Sequence, residues 1–185
     1  MPKKITHFID FPQEVHPERM FVLNHIIGGV AYDVGCGWNK TLPTMIGVDP
    51  LPSTNLVGSA ECLPITVDES VDLIVMRHSL EHVLNQVKAV KEWIRVLKVG
   101  GIVIVVLPDH GYIDTMDHRV GNGEHLHAYS GESFADFMVL FNRDLEFAVS
   151  PVTVIPDWSF GAVLKKRDRS TKWYTGQLSG QWRPK

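Results

Sequence analysis

The stretch AYDVGCGWNKTLPTMIGVDP, residues 31–50, decides the fold. One apolar run passes Asp33 and breaks at Gly35 and Gly37, and a second ends on Asp49. A strand that runs into a glycine turn lets backbone come close to a ligand, and an acid closing the next strand offers a carboxylate on the same edge of a parallel sheet. Asp33 and Asp49 lie 16 positions apart with Pro43 between them, so the connection has room for little more than one helical turn.

Outward from this stretch, short apolar runs alternate with helical patterns, as in a parallel sheet covered by helices. Strands are expected at 30–34, 45–49, 56–57, 71–76 and 102–107. Between the last two, Leu80, Val83, Leu84, Val87, Val90, Ile94 and Leu97 recur at helical spacing, and Gly100 with Gly101 ends the pattern. Ser130 can cap a helix running to about Phe141, and the two apolar runs after it suggest a closing antiparallel pair. The fold class is α/β: a Rossmann-like, mostly parallel sheet with a C-terminal antiparallel strand and helices on both faces.

At 185 residues and 44% apolar content, the chain fits one globular domain. We assign the domain to residues 1–165, with 1–28 as an N-terminal segment and helix, and 166–185 as a basic tail. Residues 165–185 hold seven Lys or Arg and one Asp, which is +6 against −3 for the whole chain and leaves −9 for residues 1–164. Such a tail, bearing Trp173, Tyr174 and Trp182, could touch nucleic acid; a solvated chain end is the commoner reading. Cys36 and Cys62 have no disulfide-scaffold density, and no run approaches the ~18 apolar residues of a membrane span. A soluble protein of the cytoplasm is expected.

Two cofactors compete for the glycine turn. A dinucleotide fold wants Gly-x-Gly-x-x-Gly, but the chain reads Gly35-Cys-Gly-Trp-Asn-Lys40, without the third glycine. Asp33 also sits badly beside a pyrophosphate, whereas it suits a ligand carrying an ammonium, directly or through water. S-adenosylmethionine is favoured, with Asp49 accepting both ribose hydroxyls.

The segments GSAECLPITVDESVDLIVMRHSLEHV and VKEWIRVLKVGGIVIVVLPD follow in order. With the opening stretch they resemble the class I S-adenosylmethionine-dependent methyltransferases of the type 11 group, from about Val30 to Asp109. The resemblance implies an enzyme that uses S-adenosylmethionine. It makes Asp33, Gly35 and Gly37 the cofactor loop, with Cys36 between them, and Asp49 the ribose acid, followed by Pro50. Ser59, Ala60 and Glu61 correspond to the adenine turn, and Arg77 and His78 to the cofactor's methionine end. Ser59 stands where the family usually has Asp, and Val99 where it usually has Pro. The short loop resembles a subgroup reading GCGxNK, for which sugar and surface-polysaccharide settings are common.

Four histidines, His110, His118, His125 and His127, crowd the loop after the expected fifth strand with Asp109, Asp114, Asp117 and Glu124. That loop leaves the carboxyl edge and should wall the acceptor site. His125 is our first choice for the general base, His110 the second, and His78 the rival nearest the cofactor. No compact ligand motif is present and no metal is assigned, although Asp, His and Glu could assemble ligands. Glu81 and His82 orient the loop after strand four or take part in catalysis. Cys36 reads as a small filler rather than a nucleophile, and Trp38 either covers the cofactor or packs.

The expected reaction is methyl transfer to a small polar acceptor, an oxygen of a sugar or related metabolite. Methylation of RNA or protein guided by the basic tail, and a cofactor-binding inactive partner subunit, are the alternatives. Exocyclic amino methylation of DNA is disfavoured, because its Asn or Asp-Pro-Pro-aromatic signature is replaced by Arg77-His78-Ser79-Leu80.

Overall fold

The computed structural model describes residues 16–65, 67–116, 124–142, 147–156 and 158–168. Helix α1 (Pro17–His25) opens with proline in its first turn, where the missing N–H costs nothing. Strands β1 (Ala31–Val34), β2 (Ile46–Asp49), β3 (Leu56–Val57) and β4 (Val71–Arg77) follow. A 3₁₀ turn (Leu80–His82) leads to α2 (Gln86–Val96), β5 (Leu97–Pro108), α3 (Gly131–Asn142), β6 (Phe147–Val149), β7 (Thr153–Ile155) and β8 (Ser159–Lys166).

The sheet order is β3-β2-β1-β4-β5-β8-β6, with β7 also paired to β8. The first five strands run parallel, and β8 lies antiparallel to β5 from Ile102↔Lys165 to Pro108↔Ser159. The chain leaves β1 toward β2 on one side and returns to β4 on the other, so the carboxyl ends of β1 and β4 flank the point where the strand order reverses. Ligands of open α/β sheets bind there.

Both faces of the central strands are buried, which is why these runs read as continuous rather than alternating apolar sequence. Ile74, Met76, Val103, Val105 and Leu107 pack with Trp93 of α2 and Phe134 and Met138 of α3. Leu73, Val75, Ile102, Ile104 and Val106 pack with Phe21 and Val22 of α1. A Cβ on Gly161 would lie 2.4 Å from the Phe21 ring, so this glycine lets α1 lie close on β8.

Two boundaries differ from expectation. The helix expected over 80–97 divides, because the Asn85 side chain accepts the Lys88 N–H at 2.9 Å and caps a new helix start. Strand β5 begins at Leu97, ahead of the two glycines, because Leu97 pairs with Val71; the register shifts between Val71 and Leu73, and Gly100 sits at φ +84°. Between β1 and β2 the chain forms turns only. β8 runs through Lys166, whose Nζ donates to Glu69 and to the Leu97 carbonyl. The rest of the basic segment from residue 169 onward lies outside the described residues, as do Asp117 and His118. Among the described residues, no helix is long and apolar enough to cross a membrane.

Candidate functional site

The carboxyl ends of β1 and β2 are tied into one loop. Gly35 turns at φ +72°, its N–H donates to Val48 O at 2.7 Å, and a Cβ there would lie 2.3 Å from the Ser79 Cβ. Ser79 is held in turn by donating to Val34 O at 3.0 Å. Gly37 differs: it also has positive φ, +53°, but a Cβ on it would meet nothing within 4 Å. Its N–H donates to Asp49 Oδ2 at 2.8 Å, and Asp49 Oδ1 accepts the Leu51 N–H at 3.0 Å. Pro50, between them, is exposed.

Asp33 is buried and accepts the Thr41 N–H. Burial pushes its carboxyl above the usual range, against that bond and the nearby charges of Arg77 and Lys40. In this structure Asp33 therefore anchors the short loop. Lys40 does so as well, because its Nζ donates to the carbonyls of Pro43 and Met45 and to Asn55 Oδ1, all within 3.1 Å. The Cys36 thiol is pushed up to about 11 by burial and by the Asp33 and Asp49 charges, so it is a poor nucleophile. Its Sγ would lie 2.8 Å from a Cβ on Gly47.

The Ser59 segment forms a tight turn in which Cys62 N–H donates to Ser59 O and Glu61 N–H to Ser59 Oγ. Ala60 is buried, and Glu61 Oε1 reaches across to accept the Asn85 N–H at 2.9 Å. This turn is thereby joined to the start of α2.

Beyond β4, His78 adopts φ +50°, uncommon for a residue with a Cβ. Its Nε2 lies 2.8 Å from Glu18 Oε1 of α1, its Nδ1 3.6 Å from Glu81 Oε1, and its ring stacks on Trp158 at 4.8 Å. Ser159 Oγ also donates to Glu18 Oε1. Burial alone would depress the His78 pKa, but the two carboxylates outweigh it and push it up to about 9. At neutral pH this ring is an imidazolium. Burial works against the charge of Glu18, yet the His78 and Ser159 bonds hold its carboxyl below the usual value.

The loop histidines gather around Thr115. His110 Nδ1 lies 3.1 Å from Thr115 Oγ1 and accepts the Thr115 N–H at 3.3 Å, so its proton sits on Nε2. His125 Nδ1 lies 2.7 Å from Thr115 O, which only accepts, so its proton sits on Nδ1 and Nε2 carries a lone pair. The His125 ring meets His82 edge-on at 4.7 Å. His127 instead bonds Val83 O and braces the loop.

The structure thus brings Gly35, Cys36, Gly37 and Asp49 together, and joins His110 with His125. His78 belongs to a separate carboxylate pair that meets the loop cluster at Glu81. The sequence reading did not single out Glu18, Ser79, Thr115, Trp158 or Ser159. Glu18 reads as an ordinary first-turn acid complementing a helix dipole, and no local pattern announces a partner 60 positions away.

The chain matches the family model described as methyltransferase domain over residues 32–105. Among solved structures it resembles a Thermotoga maritima protein described as a SAM-dependent methyltransferase and possible histamine N-methyltransferase. Identity is 21% and the TM-score 0.64, over 84% of this chain and 91% of that one. A SAM-dependent methyltransferase from Aquifex aeolicus is 18% identical, with TM-score 0.61 over 80% and 88%. The plantazolicin methyltransferase BpumL, solved with a monoazolic desmethylPZN analog and SAH, is 12% identical, with TM-score 0.62 over 82% of each chain. No curated protein sequence matches the chain. These structures share the fold, and the family match spans the glycine turn, the acid that ends β2, strand β4 and β5 as far as Val105. Residues 32–105 match the methyltransferase-domain family, the chain shares the fold of S-adenosylmethionine-dependent methyltransferases, and S-adenosylmethionine is the methyl donor.

Proposed function

We propose that the methyl group is carried to an oxygen of a small polar acceptor, a sugar or related metabolite. The observation that supports this reading is the polar cluster at the carboxyl edge, where His110 and His125 meet at Thr115, His125 meets His82 beside Glu81, and Glu81 lies near His78. Such a wall offers hydrogen bonds to hydroxyls.

S-adenosylmethionine supplies a methyl group on a sulfonium, and the protein's task is chiefly alignment. In this reading Asp33, Gly35, Cys36, Gly37, Asp49 and Pro50 form the cofactor cradle. Ser59, Ala60 and Glu61 hold the adenine end, and Arg77 and His78 the methionine end. The residues fit the cofactor at two points. A Cβ at Gly37 would fill open space beside the turn. Each Asp49 oxygen holds one backbone N–H and keeps a further lone pair for a ribose hydroxyl.

Of the three histidines considered as base, His125 has the suitable free nitrogen. His78 has carboxylates at both nitrogens, and the His110 Nδ1 lone pair is already taken by the Thr115 N–H. Calorimetry should show binding of S-adenosylmethionine and none of nicotinamide dinucleotides. Transfer of labelled methyl groups to a panel of sugars, RNA and protein then identifies the acceptor. Label appearing only in RNA or protein would overturn the small-acceptor reading. With an acceptor in hand, His125→Ala should lower turnover by ~10² or more and spare cofactor affinity.

A further inference from the structure

We propose that Glu81, His82 and His125 form a binding site for one divalent transition-metal ion. One ligand atom from each lies within 4.8 Å of the others. The separation of ligands bound at about 2.0–2.2 Å is roughly 3 Å, and the exposed His82 can close that gap by rotating.

Three independent features point to a cation. First, Glu81 is 1% exposed, and neither carboxylate oxygen has a hydrogen-bond partner among the described residues. The nearest countercharge is His78 Nδ1 at 3.6 Å, beyond hydrogen-bond range. Even beside that countercharge, a buried carboxylate without a hydrogen bond keeps unmet acceptor capacity, which coordination would fill.

Second, both histidines are set in the metal-binding tautomer. His82 Nδ1 lies 3.0 Å from Glu124 O, and His125 Nδ1 2.7 Å from Thr115 O. A carbonyl can only accept, so both protons are on Nδ1 and both Nε2 lone pairs are available. Backbone carbonyls commonly orient metal-binding histidines in this way.

Third, the two halves of the site are tied together. The Glu81 carbonyl accepts the N–H groups of Leu126 and His127 at 2.9 and 3.1 Å, so the His125 loop is fastened to the 3₁₀ turn that carries Glu81 and His82. His127 adds a bond to Val83 O at 3.0 Å.

Two imidazoles and one carboxylate suit manganese, iron, cobalt or zinc rather than calcium or magnesium, which prefer oxygen ligands. Three protein ligands leave positions open for water or an acceptor oxygen. That use rests on the oxygen-acceptor reading; the site itself does not. With metal bound, coordination rather than a free His125 nitrogen would acidify the acceptor hydroxyl.

The test is titration of the chelator-stripped full chain with Co²⁺, read by visible absorption, without cofactor or acceptor. One equivalent should produce absorption bands of a nitrogen-ligated ion, and excess Zn²⁺ should remove them. Glu81→Gln, His82→Ala and His125→Ala should each weaken binding at least 10-fold, while circular dichroism and S-adenosylmethionine affinity show that the variants are folded. Absence of the bands, or their survival in the His82→Ala/His125→Ala double variant, would overturn the proposal. Failure of S-adenosylmethionine to bind would count against the cofactor cradle and leave this titration unaffected.

Discussion

Gly35 and Gly37 sit in one turn with positive φ, yet replacing each with alanine should fail differently. At Gly35, alanine pays about 1–2 kcal/mol for the left-handed backbone. Its Cβ would lie 2.3 Å from the Ser79 Cβ, where carbon contacts prefer roughly 3.5–4.0 Å, so Ser79 must shift by more than about 1 Å. That shift breaks the Ser79 bond to Val34 O, at about 1–3 kcal/mol for a buried acceptor left unpaired. Gly35→Ala should therefore lose at least about 2 kcal/mol. With a urea m-value of about 2 kcal/mol/M, the unfolding midpoint falls by about 1 M or more. Ser79→Gly in the same chain should recover the overlap part and leave the backbone cost, a coupling that a double-mutant cycle reads directly. At Gly37 a Cβ meets nothing, so Gly37→Ala should cost no more than about 2 kcal/mol of stability while lowering S-adenosylmethionine affinity 10-fold or more by calorimetry. A Gly35→Ala loss under about 1 kcal/mol, or a Gly37→Ala variant with normal cofactor affinity, would refute this division of labour.

The Glu18–His78 pair makes stability pH-dependent in the metal-free protein. Because the folded pKa of His78 lies above the unfolded value, its contribution is fully present below about pH 6.5 and is lost as pH rises through about 9. The lowered pKa of Glu18 makes its contribution present above about 4.5 and lost on acidification. Thermal melts of Glu18→Gln should show both slopes flattened, and an unchanged alkaline slope would mean that the pair is not formed. Alkylation at pH 8 followed by mass mapping should modify exposed Cys62 first and Cys36 slowly, since burial and two acids raise the Cys36 thiol; equal rates would contradict that environment. Gly161→Ala should destabilise by about 1–3 kcal/mol because its Cβ meets the Phe21 ring, and Phe21→Leu in the same chain should relieve part of the loss. Denaturant melts of the two variants decide it.

The strands were legible because burial on both faces leaves uninterrupted apolar runs, and burial is what sequence composition records. The start of α2 was harder to read. Leu80, Val83 and Leu84 continue the helical period, yet Asn85 captures the Lys88 N–H and ends that period in favour of a fresh start. Periodicity reports which side chains are apolar, whereas a single side-chain bond decides where the backbone turns. The glycines at the head of β5 posed the converse problem. Gly100 and Gly101 look like a helix stop, but Leu97 already pairs with Val71, and the glycines absorb a register shift inside the strand.

The candidate site divides along the same physical line. The glycine turn and Asp49 interact across 12 positions, and their chemistry shows in the residue types at that spacing. Glu18 meets His78 across 60 positions and Ser159 across 141, so these partners are set by α1 lying on the sheet and not by any local pattern. The histidine loop is intermediate. Its crowding was visible, but the distinction among its members depends on which ring nitrogen faces which backbone group. His110 accepts an N–H from Thr115 and His125 faces the carbonyl of the same residue, so two histidines around one threonine expose opposite hydrogen-bonding faces. A sequence can place an imidazole near a site, but only the surrounding backbone decides whether it presents a proton or a lone pair, and that difference separates a donor from a base or a metal ligand.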